Sequence, residues 1–167
     1  MSASLASGGL TLRFTRVSPT HHRFEYRRPD GTGEAIEMET NSLLFHDLLH
    51  YSVESEAGLK GSFYGILGKI SGYEELAVAG GAALGGEIAI TERVVGALTG
   101  ALRQEDLDAE DFVAQVAEYL EVYEERAPRW FTPALITAVR ERMRQLMGRW
   151  KATPFGEAME LTFPAAI

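Results

Sequence analysis

The periodicity of the apolar residues changes near residue 40, and this change constrains the fold more than any other feature. Before it, apolar and polar residues alternate in three runs, 10–17, 22–28 and 34–39, separated by turn sequences rich in Pro, Gly and Ser. Alternation with a period of two is typical of strands that bury one face, and such short connections favour antiparallel pairing. The sequence therefore predicts an N-terminal antiparallel sheet of three strands.

The predicted sheet has one apolar face and one charged face. The apolar face requires a covering layer and comprises Leu10, Leu12, Phe14, Phe24, Tyr26, Ile36 and Met38. The opposite face carries Arg13, Arg23, Arg27, Glu25, Glu37 and Glu39. These arginines could bind a ligand, but charges opposite one another on a solvent-exposed sheet usually form cross-strand pairs. We favour the second interpretation.

After residue 40 the spacing of apolar residues becomes helical. Helices are predicted over about 43–57, over 87–103, from residue 108 onwards and from Thr132 to Trp150. Residues 158–163 alternate again and could add a fourth strand to the sheet. The predicted class is α+β, a small antiparallel sheet of three N-terminal strands plus a C-terminal strand, covered by about four helices. We expect a single domain over 1–167, with residues 1–9 as a flexible lead-in.

Composition limits the function classes. The net charge of −8 argues against a nucleic-acid partner, and no apolar run is long enough to cross a membrane. There is no cysteine, so His, Asp and Glu are the remaining metal-ligand types. We therefore expect a soluble, cytoplasmic protein with neither a nucleic-acid nor a membrane partner.

The candidate chemistry lies in the first predicted helix, in the sequence HDLLH from His46 to His50, followed four residues later by Glu54. Residues four apart on a helix have Cβ atoms about 5–6 Å apart, so His46, His50 and Glu54 could bind one metal ion. The histidine spacing is that of H-E-x-x-H metalloproteases, in which the intervening Glu is the general base. Asp47 occupies that position here, and Asp47 and Glu54 are the candidate catalytic groups.

Glu87 is a further candidate ligand, on the second predicted helix. It falls in line with the apolar stripe of that helix, and a carboxylate directed at the core needs a cation or another positive partner. The alternative is that Glu87 only occupies the first helical turn, where a negative charge is favoured.

The sequence HDLLH, with Leu84-Gly-Gly-Glu87-Ile88 further on, resembles the H-D-x-x-H…E signature of a ubiquinone-biosynthesis family that is thought to bind zinc. The resemblance covers about a dozen residues and implies His46, Asp47, His50 and Glu87 as zinc ligands. The family's spacing would place its Glu at Ser62, so Glu87 matches only across a longer insertion.

Two functional hypotheses follow. In the first, a divalent metal, with zinc favoured and iron or manganese as alternatives, binds His46, His50 and a carboxylate, and catalyses hydrolysis or lyase chemistry on a small molecule. In the second, the chain is a non-enzymatic interaction domain or a homo-oligomer, with structural histidines, whose acidic third helix and charged sheet face bind a partner. The two differ in whether the nitrogens of His46 and His50 point at one position.

Overall fold

The chain forms an antiparallel sheet whose apolar face is covered by helices. The computed structural model describes residues 9–69, 72, 74, 86–102, 104 and 107–164. Within them, the elements in chain order are β1 (Leu10–Arg16), β2 (His21–Arg27), β3 (Gly33–Glu39), α1 (Thr40–Ala57), α2 (Phe63–Leu67), α3 (Gly86–Ala101), α4 (Ala109–Glu121), α5 (Pro133–Ala152) and β4 (Ala158–Phe163). The α+β prediction is confirmed. Apart from Gly9, the predicted flexible lead-in lies outside the described residues.

The strand order is β3-β2-β1-β4, and every neighbouring pair is antiparallel. The predicted fourth strand therefore joins the sheet beside β1. Phe14 lies opposite Phe24 on one side and Met159 on the other, and all three side chains are buried. On the outer face Arg13 lies opposite Glu25, whereas the ion pair of Glu25 among the described residues is with Arg23 of the same strand (3.2 Å), so cross-strand pairing of these charges stays a prediction.

Helix α1 is the central helix, and it begins three residues earlier than predicted. The backbone N–H of Thr40 donates to the carbonyl of Thr20 (2.8 Å), and the Thr40 hydroxyl is hydrogen-bonded to Nδ1 of His22 (3.1 Å). These bonds join the first turn of α1 directly to the sheet. The helix ends at Gly58, whose φ of 66° is in the left-handed region that favours glycine.

Residues 47–54 of α1 are buried around the whole circumference of the helix, because the sheet, α2, α3 and α5 all pack against α1. His50 and Glu54, two of the predicted metal ligands, lie in this part of the helix and are 2% and 0% exposed. A carboxylate and an imidazole in this position must find partners inside the protein, since burying a charge without one is costly.

Helix α3 packs against α1, and the face that it buries does not include Glu87. Ile88, Thr91 and Val95 are buried, whereas Ile90 is only half-buried and Glu87 is exposed. Glu87 therefore does not point into the core.

Helices α4 and α5 complete the layer and begin as their sequences predict. Asp108 and Asp111 form a capping box at the start of α4, and Thr132 caps α5 ahead of Pro133. Helix α4 ends at Glu121, and Tyr123, which follows it, is 45% exposed. None of the helices in the described part of the chain combines the length and the apolar character needed to cross a membrane.

Candidate metal centre

Two histidines of α1 and a glutamate of α3 converge at the interface of these helices. His46 and His50 lie one turn apart, with ring centroids separated by 4.7 Å. Nε2 of His46 is 3.2 Å from Oε1 of Glu92, and Nε2 of His50 is 2.8 Å from Oε2 of the same carboxylate. The nitrogens of both rings thus face one group, as the metal hypothesis requires.

The spacing of these three side chains suits a metal ion. Each offers one ligand atom, and the three atoms all lie within 4.8 Å of one another. In proteins zinc lies about 2.0–2.2 Å from a histidine nitrogen or a carboxylate oxygen, so small side-chain adjustments would bring all three to one ion. The cluster could therefore hold a metal ion, with one coordination position left for water in a tetrahedral geometry.

Nε2 of His50 is the most deeply placed of the ligand atoms. Oε2 of Glu92, 2.8 Å away, is its ion-pair partner, and no other polar partner is found for it among the described residues. A metal ion bound to both atoms would replace this contact.

Hydrogen bonds to the loop before α2 hold α3 in position. Oε1 of Glu87 accepts from the backbone N–H of Gly61 and from the hydroxyl of Ser62, both at 3.0 Å. The same hydroxyl is 2.9 Å from that of Thr91, the residue before Glu92. These contacts fix the first turns of α3 and thereby the position of Glu92.

Glu54 lies on the far side of His50 from Glu92. Its Oε2 is 3.0 Å from Nδ1 of His50, and its Oε1 accepts the backbone N–H of Tyr64 at 2.9 Å. Burial raises the pKa of Glu54. Glu54 is not a member of the three-residue group, and its role as a ligand or catalytic group stays a prediction.

Asp47 is buried beside His46. Its Oδ1 is 3.6 Å from Nδ1 of His46, whereas Glu92 contacts the other ring nitrogen. Asp47 therefore lies on the opposite edge of the imidazole from the point of convergence. Its proposed catalytic role also stays a prediction.

The surrounding carboxylates favour protonated histidines in the metal-free protein. The neighbouring carboxylate of Asp47, followed by that of Glu92, raises the pKa of His46 to about 9. Burial lowers the pKa of His50, but the bond to Glu54 and the contact with Glu92 outweigh it and raise the pKa to about 10. Burial likewise raises the pKa of Glu92, and the two histidines outweigh it, so that this pKa is lowered. A metal ion bound by these side chains would replace protons on His46 and His50.

Sequence reasoning found both histidines but not Glu92. The apolar stripe of the helix suggested Glu87 instead. In the structure Glu87 accepts hydrogen bonds from Gly61 and Ser62, and its role as a metal ligand stays a prediction. The sequence feature that could have identified Glu92 is its position four residues after Ile88, at the margin of the face that α3 buries.

Comparisons with protein-family models, curated proteins and solved structures gave no significant match to this chain. The resemblance to the ubiquinone-biosynthesis family therefore stays a prediction.

Proposed function

We propose that this protein binds one divalent metal ion through His46, His50 and Glu92. The proposal is carried by one observation, the convergence of two imidazole Nε2 atoms on a single carboxylate. The hypothesis of a non-enzymatic or homo-oligomeric domain expects the histidines to bond separate groups. Their shared partner favours metal binding, and the assembly role stays a prediction.

Zinc is the favoured ion. Two histidines and one glutamate form the ligand set of several catalytic zinc sites, and the absence of cysteine is consistent with such a site. A set of two histidines and one carboxylate also binds iron(II) in oxygenases, and carboxylates suit manganese. Iron and manganese are therefore the alternatives to be tested beside zinc.

The reaction class that fits this ligand set is hydrolysis or lyase chemistry on a small molecule. Three protein ligands leave an open coordination position, and a metal ion in such a site lowers the pKa of bound water. His46 and Glu92 are partly exposed, with side-chain exposures of 36% and 32%, so a small substrate could approach them from solvent.

Metal content is the direct test of this proposal. Untagged protein, incubated with zinc, iron(II) or manganese and then desalted, would be measured by inductively coupled plasma mass spectrometry. Glu92→Gln removes the proposed carboxylate ligand, and Glu87→Gln is the matched control on the same helix. Circular dichroism would establish that both variants fold.

We expect about one metal per chain in the parent and in the Glu87→Gln variant, and loss of metal from Glu92→Gln. Retention by Glu92→Gln with loss from Glu87→Gln would instead identify the ligand that the sequence pattern selected. An absence of metal in the parent under all three conditions would contradict the proposal and leave the cluster as an ion-pair network between α1 and α3.

A further inference from the structure

Glu54 is a buried carboxylate that does not belong to the three proposed ligands. It is fully buried, and each of its two oxygens is hydrogen-bonded to a different nitrogen. One is the backbone N–H of Tyr64 at the start of α2, which donates, and the other is Nδ1 of His50. A buried carboxylate held in this way on both oxygens is in a fixed orientation.

The backbone N–H of Tyr64 fixes the hydrogen-bonding role of one oxygen of the Glu54 carboxylate. A backbone N–H can only donate, so Oε1 of Glu54 must accept. When Glu54 is ionised, Oε2 also accepts, so Nδ1 of His50 carries the proton of this bond. In a neutral imidazole the other nitrogen then has the free lone pair, and that nitrogen is Nε2, which faces Glu92.

We propose that Glu54 is a positioning residue that fixes the tautomer and the ring orientation of His50, so that Nε2 is presented to the metal ion. This inference rests on the proposed function. It gives Glu54 a role different from the ligand or catalytic role that the sequence predicted. A hydrogen bond from a ligating histidine to a carboxylate is a general device for orienting the ring.

Helix α2 holds the pair in place from the opposite side. The ring of Phe63 packs against that of His50, with centroids 5.7 Å apart. The hydroxyl of Tyr64 donates to the backbone carbonyl of Asp47 at 2.8 Å, which joins α2 to the turn of α1 between the two histidines. Both His50 and Glu54 are thus positioned by the same short helix.

The isosteric substitution Glu54→Gln tests this role, because an amide has one accepting oxygen instead of two. If that oxygen accepts from Tyr64, the amide NH₂ faces Nδ1 of His50, which must then accept. The ring proton would move to Nε2, where it blocks the metal. If the amide is reversed, its NH₂ faces the N–H of Tyr64, and two donors oppose each other.

Glu56→Gln is the matched control. One oxygen of Glu56, Oε1, lies 2.7 Å from both Nε and Nη2 of Arg142, so an amide oxygen can make both contacts. The control has the same chemical change on a hydrogen-bonded glutamate of α1, without the need for two acceptors.

In the experiment the metal-free proteins are titrated with Co²⁺, and binding is measured by the visible absorption of the bound ion. We expect Glu54→Gln to lose about 10- to 100-fold in affinity, as is typical for partners of ligating histidines, and Glu56→Gln to bind like the parent. Glu54→Asp retains two acceptors on a shorter side chain and should bind more tightly than Glu54→Gln.

Nitrogen-15 NMR of the zinc-loaded parent provides a test that needs no variant to fold. His50 should coordinate through Nε2 and carry a slowly exchanging proton on Nδ1. Coordination through Nδ1 would overturn the inference, as would equal Co²⁺ affinity in Glu54→Gln and the parent, and in both cases the proposed function stands. A parent that binds neither Co²⁺ nor zinc would overturn both.

Discussion

Nε2 of His46 lies 3.2 Å from Oε1 of Glu92, a residue 46 positions later in the chain. This contact joins the central helix α1 to α3 through charged groups at the margin of the apolar core. A metal ion at this position would link the two helices directly. Binding would therefore be measurable as a change in stability as well as in metal content.

Zinc should stabilise the parent protein and not the Glu92→Gln variant. A ligand that binds only the folded state adds about 2.7 kcal/mol to the free energy of unfolding when its free concentration is 100 times Kd. The measurement is urea unfolding with zinc and with a chelator. Equal zinc stabilisation of the parent and of Glu92→Gln would contradict the assignment of this ligand.

Without metal, the protein should become less stable as the pH rises from about 7 to 10. The pKa values of His46 and His50 are raised to about 9 and about 10, so the folded state binds these protons more tightly than the unfolded state. Their stabilisation is complete below the unfolded value of about 6.5 and is lost as the pH rises through the folded values. Urea unfolding in chelator at several pH values measures this slope.

The slope should be reduced in a His46→Gln/His50→Gln double variant and retained in His21→Gln, which changes an exposed histidine of the sheet. An unchanged slope in the double variant would show that other groups cause it. In the zinc-loaded parent the ion replaces the protons, so the free energy of unfolding should decrease less as the pH rises.

His22 should make the protein sensitive to acid. It is fully buried between Phe14, Trp150 and Thr40, and burial is the main cause that lowers its pKa; Asp47 opposes this effect and His21 adds to it. The folded state therefore prefers the neutral ring. This contribution is complete above the unfolded pKa of about 6.5 and decreases as the pH falls towards the lowered folded value.

The test compares the free energy of unfolding at pH 7 and pH 5 in the parent and in His22→Leu. We expect the variant to be less stable at pH 7, because it lacks the bond to Thr40, but to lose less stability on acidification. A loss equal to that of the parent would argue that His22 does not titrate in this range. His21→Gln is the adjacent control.

Two glycines should respond in opposite directions to substitution by alanine. A Cβ at Gly65 in α2 would collide with the carbonyl oxygen of Lys60, whereas a Cβ at Gly148 in α5 would meet nothing within 4 Å. We expect Gly65→Ala to cost about 1–3 kcal/mol, as overpacking usually does. Gly148→Ala should stabilise the protein by about 0.5–1 kcal/mol through helix propensity.

Because Gly65 follows Tyr64, whose backbone holds Glu54, Gly65→Ala should also weaken Co²⁺ binding. Gly148→Ala should leave Co²⁺ binding unchanged. If Gly65→Ala is destabilised but binds Co²⁺ like the parent, the position of α2 does not control the site.

Local patterns were sufficient for the sheet and for the starts of α4 and α5. The alternation in β1, β2 and β4 specifies which side chains face the core, because successive residues of a strand point to opposite faces. The caps at Asp108 and Thr132 are likewise local, since the capping side chain and the N–H that it accepts lie three residues apart. By contrast, the start of α1 depends on bonds to Thr20, just before β2, and to His22 within it, and its predicted position was three residues late.

For the site, the sequence by itself determined that His46, His50 and Glu54 share one side of α1, because helical geometry places residues four apart together. Only the tertiary structure decided that Glu92 completes the cluster and that Glu87 is hydrogen-bonded to the loop before α2. It also decided that the side chain of Glu54 is buried against α2. The physical reason is that the facing residues of two helices depend on the rotation of each helix about its axis. That rotation follows from packing across the whole core, and a shift of one residue on α3 turns the helix face by about 100°.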